Sequence, residues 1–318
     1  MNDICFVIAP QNKGWILDRI AHEIGGEFKY PIYHYGTENI PKAERYFALH
    51  YTLLPAILQQ VNPDCNQVSV FFTHESVSIA PMVDTFNLCK SVIAENAYYM
   101  NELLKIGVRP DKLHFVPECS NTENFKPHAR TGNGSILFSG KNYKFGRKNA
   151  PLINEVAKLL PHRNFISVGP EWERDVNGPN VKHMGDIPYS EYPKVYEECD
   201  VYLTASTIEG GGPNSLIESM HCNMVPVASD CGNACDYIVD GYNGYIFPID
   251  ATAEQVAELI EKAYKLAPQN AMPYADIWQT VKQFTWDTYR IQMKEAITGD
   301  YSKTSSQELM EQESEGLN

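Results

Sequence analysis

Apolar residues along this chain fall into short unbroken runs, separated by stretches in which they recur at helical spacing. The first run, ICFVIA (4–9), has the length and continuity of a strand covered on both faces. In GWILDRIAHEIG, which follows, Ile16, Leu17, Ile20, Ala21 and Ile24 fall on one face of a helix. VSVFFT (68–73), SVIA (91–94) and LHFVP (113–117) read as further strands. A Pro- and Gly-rich break comes at KPHARTGNG (126–134). The same grammar then restarts with SILFSG (135–140), NFISVG (164–169), DVYLTAS (200–206), MVPVAS (224–229) and GYIF (244–247). Buried strands alternating with helix-length segments predict parallel sheets with helices on both faces. The fold class that follows is α/β. Two doubly wound Rossmann-like domains, residues 1–130 and 131–283, are expected to face each other across a cleft. Ligands of such sheets bind beyond the carboxyl ends of the strands.

Composition narrows the picture. A chain of 318 residues suits two domains better than one core. Hydrophobic content of 43% is enough to fill both. No apolar run approaches the roughly 20 residues of a membrane span. The start, MNDICFVIAP, enters a strand at once without the basic and apolar regions of a signal peptide, so a cytoplasmic location is expected. The net charge is −14 and no basic stripe offsets it, which argues against nucleic acid and against a strongly anionic membrane surface. The last stretch, 302–318, is polar, acidic and free of aromatics, the composition of a disordered tail.

Eight cysteines are scattered through predicted strands and helices, as reduced buried thiols are. The tightest group is His221, Cys222, Cys231 and Cys235. Its spacing lacks the paired CxxC of a zinc site, so small residues around a tight loop are the stronger reading and no metal is expected.

One stretch concentrates the chemistry. STIEGGGPNSLIES (206–219) places three glycines and a proline between two glutamates, just after the strand DVYLTAS. Pro213 suits the first turn of the helix that follows. Gly210, Gly211 and Gly212 let the backbone approach a ligand closely, and the amides of Asn214, Ser215 and Leu216 would form an anion site at the positive helix end. Glu209 flanks the loop on the strand side, and Glu218 lies about one turn into the helix. Phosphate-binding amides with two carboxylates suit a phosphate that bears hydroxyl-rich groups, such as a nucleotide sugar. The plain alternative is a glycine-rich turn with two solvated glutamates.

The segment TASTIEGGGPNSLIESMHCNMVPVASDCGNACDYIVDGYNGYIFP resembles the nucleotide-sugar signature of glycosyltransferase family 4 and its GT-B relatives. VPECSNTENFKP (116–127) is similar to that family's interdomain segment, and ILFSGKNYKFGRKN (136–149) to its phosphate-clamp strand and loop. FTWDTYRIQM (284–293) is similar to the helix that crosses back to the first domain, expected here over 284–301. Two departures stand out. The family spaces its glutamates eight apart, whereas Glu209 and Glu218 are nine apart, so one glycine must bulge. Lys141 stands after the strand glycine Gly140 where the family has an arginine, which keeps the charge but loses the bidentate fork.

The resemblance implies a retaining, metal-independent transferase. It would move a sugar from a UDP- or GDP-sugar to a hydroxyl acceptor, whether glycan, lipid-linked or small molecule, with no cofactor beyond that donor. Lys141 and Lys148 would grip the diphosphate from a solvent-exposed basic loop, and Arg147 could replace either. Glu218 would hold the ribose hydroxyls and Glu209 those of the donor sugar. His74 would lie beside the reacting carbon, with Gly14 letting acceptor or diphosphate approach the first helix. His50 occupies a similar strand-to-helix loop. Seven aromatics over residues 28–51 read either as a sugar-stacking platform or, more simply, as core. No Asp-x-Asp occurs, so the metal-carboxylate diphosphate site of the other main glycosyltransferase fold is absent. A nucleotide-sugar epimerase or hydrolase, and a catalytically idle binding module, stay open as alternatives.

Overall fold

The computed structural model describes residues 3–73, 78–266 and 277–300. Among these residues twelve strands form two sheets of six, and every neighbouring pair of strands runs parallel. The first sheet contains β1 (Ile4–Ile8), β2 (Pro31–Tyr35), β3 (Arg45–Ala48), β4 (Val68–Phe72), β5 (Ser91–Ala94) and β6 (Leu113–Phe115), in the order β2-β1-β3-β4-β5-β6. The second contains β7 (Ser135–Ser139), β8 (Phe165–Val168), β9 (Val181–His183), β10 (Cys199–Thr204), β11 (Val225–Ser229) and β12 (Tyr245–Phe247), in the order β12-β11-β10-β7-β8-β9. Each sheet is wound outward in both directions from its first strand. The direction of winding therefore reverses between β1 and β3 in one and between β7 and β10 in the other, and a crevice opens at each reversal.

The α-helices of the described residues are α1 (Ile16–Gly25), α2 (Leu54–Val61), α3 (Val83–Leu88), α4 (Ala97–Lys105), α5 (Ala150–Leu159), α6 (Tyr192–Tyr196), α7 (Asn214–His221), α8 (Ala234–Tyr237), α9 (Ala253–Leu266) and α10 (Trp286–Thr298). None among the described residues is long and apolar enough to cross a membrane. The central strands are buried along their whole length, as sheets covered on both faces require.

The chain divides into two compact units. Among the described residues, one comprises 3–73, 78–95, 99–116 and 287–300; the other comprises 96–98, 117–266 and 277–286. The change of unit thus falls at 117 and not at 131. Phe125 belongs to the second core, and the buried Arg130 guanidinium donates to the Asn223 carbonyl. The Pro- and Gly-rich break is itself fastened down. Asp200, at the start of β10, accepts from Thr131 N and Oγ1 (3.0 Å each) and from Gly134 N (2.8 Å). A Cβ on Gly134 would overlap that carboxylate, which is why glycine stands there.

Helix α10 packs within the first unit. Arg290 pairs with Glu23 at 3.0 Å, and the Ser69 hydroxyl donates to the Ile297 carbonyl at 3.3 Å. Among the seven aromatics of 28–51, Phe28, Tyr46, Phe47 and Tyr51 are buried and Tyr33 stacks on Phe6, so the core reading holds for these; Tyr30 is exposed. In α1 the inward face is Ile20, Ala21 and Ile24, while Ile16, in the first turn, is exposed.

Candidate functional site

The second sheet's crevice lies where β7 and β10 end. Beyond β7, Gly140 adopts φ +98° and its carbonyl is held by the Trp172 indole N–H at 2.7 Å. Gly169, after β8, has φ +109°, and a side chain there would run into that same carbonyl. The two strand-end glycines therefore let the β7 and β8 loops touch backbone to backbone. A Cβ on Gly140 would lie 3.7 Å from the Lys148 ammonium, so that cation sits against the strand end.

Glu209 follows β10 and is almost wholly buried, at 3% exposure. Lys148 donates to its Oε1 at 2.6 Å, and Arg147 donates to its Oε2 while its Nε reaches the Ile208 carbonyl at 2.8 Å. Burial raises the Glu209 carboxyl. Lys148 and then Arg147 outweigh that penalty and hold it below the ordinary carboxylate value. Within the basic loop Arg147 and Lys148 are consequently withdrawn from solvent, because a buried carboxylate needs its cations at hand, while Lys144, Phe145 and Gly146 stay exposed. The Lys148 and Arg147 side chains are only 10% and 22% exposed. Arg147, not Lys141, shares Glu209 with Lys148. Lys141 faces Glu171 at 3.8 Å and keeps 36% of its side chain exposed. The Tyr143 ring has the Lys141 ammonium 5.8 Å from its centroid and the Arg147 guanidinium 5.6 Å away.

The glycine loop packs tightly beside this cluster. Gly210 and Gly211 are buried, and a Cβ on Gly212 would overlap the Asn233 side chain. Gly232, at φ +63°, leaves room for the Cβ of Glu209. Asn96, one of the three residues of 96–98 that pack with the second unit, donates to the carbonyls of Gly210 and Gly211. Pro213 caps α7 from outside it, in extended backbone. The Leu216 amide donates to the Pro213 carbonyl at 2.7 Å, so it is spent within the turn and is not an anion donor. Asn214 and Ser215 occupy the first two helical positions, whose amides have no intrahelical partner. The Ser215 hydroxyl pairs with Tyr202 OH at 2.6 Å.

Glu218 is also buried, at 4% exposure, but aromatic hydroxyls take the place of cations around it. Tyr189 donates to one carboxylate oxygen and Tyr196 to the other, at 3.2 Å for the latter. Burial first, and then the charge of Glu218, push the Tyr196 hydroxyl well above its ordinary value, so it stays a donor. The sequence reading passes over both tyrosines. Their spacing with Tyr192, at i, i+3 and i+7, is the signal that could have found them.

In the first unit Gly14 is exposed at φ +78°, and its amide donates to Asp18 Oδ2 at 2.7 Å. His50 caps the turn after β3, accepting from Thr52 N at 3.3 Å. Both loops flank that sheet's own reversal point. His74 lies outside the described residues. The cysteine group is not gathered: His221 and Cys222 are buried in and after α7, whereas exposed Cys235 donates to Asp230. Among the described residues no cluster of three His, Cys, Asp or Glu side chains could hold a metal ion.

A switch-point site on paired doubly wound sheets is the architecture of the GT-B glycosyltransferases, and residues 172–275 match the family described as Glycosyl transferases group 1. Anabaena HepE, solved in complex with UDP-glucose, superposes with a TM-score of 0.74 at 14% identity, covering 94% of this chain and 100% of that one. A phosphatidylinositol N-acetylglucosaminyltransferase subunit of Arabidopsis thaliana is 24% identical over 211 residues, 59% of this chain and 46% of that protein. The GPI3 subunit of the corresponding Saccharomyces cerevisiae enzyme is 22% identical over 246 residues, 69% of this chain and 52% of that protein. The chain spans about half the length of these curated relatives.

Proposed function

We propose that this chain is a retaining, metal-independent glycosyltransferase that uses a UDP- or GDP-sugar and passes the sugar to a hydroxyl acceptor. The observation that carries the proposal is the buried Glu209 with Arg147 and Lys148 upon it, beside a glycine loop at the start of α7, where the second sheet reverses. Two cations held in a low-dielectric crevice next to helix-end amides are a preorganised receptor for a diphosphate. Charge grows on that diphosphate as the glycosidic bond breaks, so Arg147 and Lys148 would serve the transition state more than the ground state. Lys141 would add a third, outer charge.

Donor binding would relieve Glu209 of its two cations and leave its oxygens to the sugar hydroxyls. Glu218 would accept from the ribose. Both buried carboxylates of this crevice already have donors upon them, which favours front-face transfer, in which the leaving phosphate takes the acceptor proton, over attack by a carboxylate. His74 is proposed to lie beside the donor sugar, and Gly14 beside the acceptor. The N-acetylglucosaminyl group in the names of the two curated relatives, taken with the UDP of the HepE complex, makes UDP-N-acetylglucosamine the first donor to try, and a phosphatidylinositol the first acceptor.

The test is incubation with UDP- and GDP-sugars, with and without acceptor, scoring free nucleotide. Acceptor-dependent release from one donor, undiminished by EDTA, is expected. Tight nucleotide binding without any turnover would instead favour an idle module, and activity that collapses with EDTA and returns with magnesium or manganese would overturn the metal-free part.

A further inference from the structure

Glu218 poses a problem of access. A carboxylate at 4% exposure cannot accept from a ligand hydroxyl unless something that covers it moves. Its two tyrosine donors differ in the freedom to do so. Tyr196 belongs to α6, is 1% exposed and forms part of the second core. Tyr189 is half-buried and begins a single 3-10 turn, Tyr189–Glu191, entered from Pro188 in extended backbone. Its ring meets Phe125 edge-on at 5.6 Å and Tyr192 at 5.3 Å, so aromatic neighbours stand ready on two sides.

We propose that Tyr189 is a specificity-determining lid of the donor site: its hydroxyl occupies Glu218 in place of a ligand hydroxyl and is displaced by the vicinal diol of a nucleotide ribose. This rests on the reading of Glu218 as the ribose acceptor. The exchange is selective because it must be balanced. A buried carboxylate that loses one O–H donor needs another of equal quality, and a diol supplies it whereas a deoxy sugar leaves the oxygen unsatisfied. Tyr196 stays in place throughout and keeps the other oxygen oriented.

Calorimetry with UDP, 2′,3′-dideoxy-UDP and inorganic diphosphate tests this on the full chain. Wild type should prefer UDP to the dideoxy compound. Tyr189→Phe keeps the ring and removes the competing hydroxyl, so it should bind UDP at least about tenfold more tightly, the worth of one charge-assisted hydrogen bond. Its affinities for dideoxy-UDP and diphosphate should not change. UDP affinity that is unchanged or weaker in Tyr189→Phe would overturn the lid and make Tyr189 a mere support for Glu218. A wild type that binds UDP no better than its dideoxy analogue would overturn the ribose role of Glu218, and the lid with it. If neither protein binds any of the three probes or GDP, the nucleotide reading itself fails, and the lid with it. Should the variant not fold, the wild type carries the test through its tyrosine ring resonances. Those of Tyr189 should shift with UDP and stay with dideoxy-UDP, and no shift with bound UDP overturns the lid.

Discussion

Glu209 and Glu218 flank the same glycine loop and are buried to nearly the same degree, yet they are satisfied by opposite means. Glu209 has two cations upon it, so its carboxyl is held low in spite of burial. Glu218 has two neutral tyrosine hydroxyls. Glu95, in the first unit, extends the comparison. It is equally buried after β5, and Tyr289 OH at 3.2 Å is too little to offset burial, which raises its carboxyl to about 8. Depth of burial alone does not decide the state of a carboxylate; the donors brought to it do. Cations make Glu209 an anchor for the basic loop, whereas Glu218 rests on neutral hydroxyls, the arrangement from which the proposed exchange with a ribose starts.

Removing both cations should break this contrast most severely. Arg147→Ala with Lys148→Ala leaves a buried carboxylate without compensation, and a loss of about 3–5 kcal/mol is expected in urea unfolding. A loss no larger than that of a surface variant would show that the ion cluster opens freely to water.

The two buried extremes should also respond to pH with opposite sign. The folded value of Glu95 lies above the ordinary 4.5, so its contribution to stability is complete below that value and is lost as pH rises through about 8. The folded value of Glu209 lies below 4.5, so its contribution is present above the ordinary value and is lost as pH falls through the depressed one. Urea midpoints measured from acid to mildly alkaline pH should therefore show an alkaline decline that Glu95→Gln flattens and an acid decline that Glu209→Gln flattens. An alkaline decline unchanged in Glu95→Gln would place the titrating group elsewhere.

Tyr196→Phe sharpens the comparison at Glu218. Loss of one hydrogen bond to a buried charge should lower stability by about 1.5–3 kcal/mol without the gain in nucleotide affinity expected of Tyr189→Phe. Equal behaviour of the two variants would erase the distinction between fixed and exchangeable donor. The smallest effect belongs to Lys141. Its exposed pairing with Glu171 is worth about 0–1 kcal/mol, so Lys141→Ala should hardly move the melting temperature, while any role in the donor clamp would emerge as a fall in kcat.

Much of the fold is written in the order of residues. Unbroken Val, Ile and Phe runs declare the central strands, because a strand buried on both faces has no polar positions to hide. SVIA coincides with β5, and the glycine loop with its two glutamates marks the crevice between β7 and β10. The strands β2, β3 and β9 are not legible. PIYHY and RYFA are short and mix polar with aromatic residues, and VKH is only three residues long, so no period emerges and pairing with a neighbour has to supply the stability.

The residue types also announce a basic loop and a pair of carboxylates beside a helix start, since charge and glycine are properties of single positions. Which cation meets which carboxylate is decided only by the fold. Arg147 and Lys148 precede Glu209 by about sixty residues, and they meet it because β7 and β10 are neighbours in the sheet. Tyr189 reaches Glu218 for the same kind of reason, from a turn that enters α6. Burial then converts those meetings into energetics, because only a carboxylate withdrawn from water is governed by the two or three donors that the tertiary structure has placed within reach.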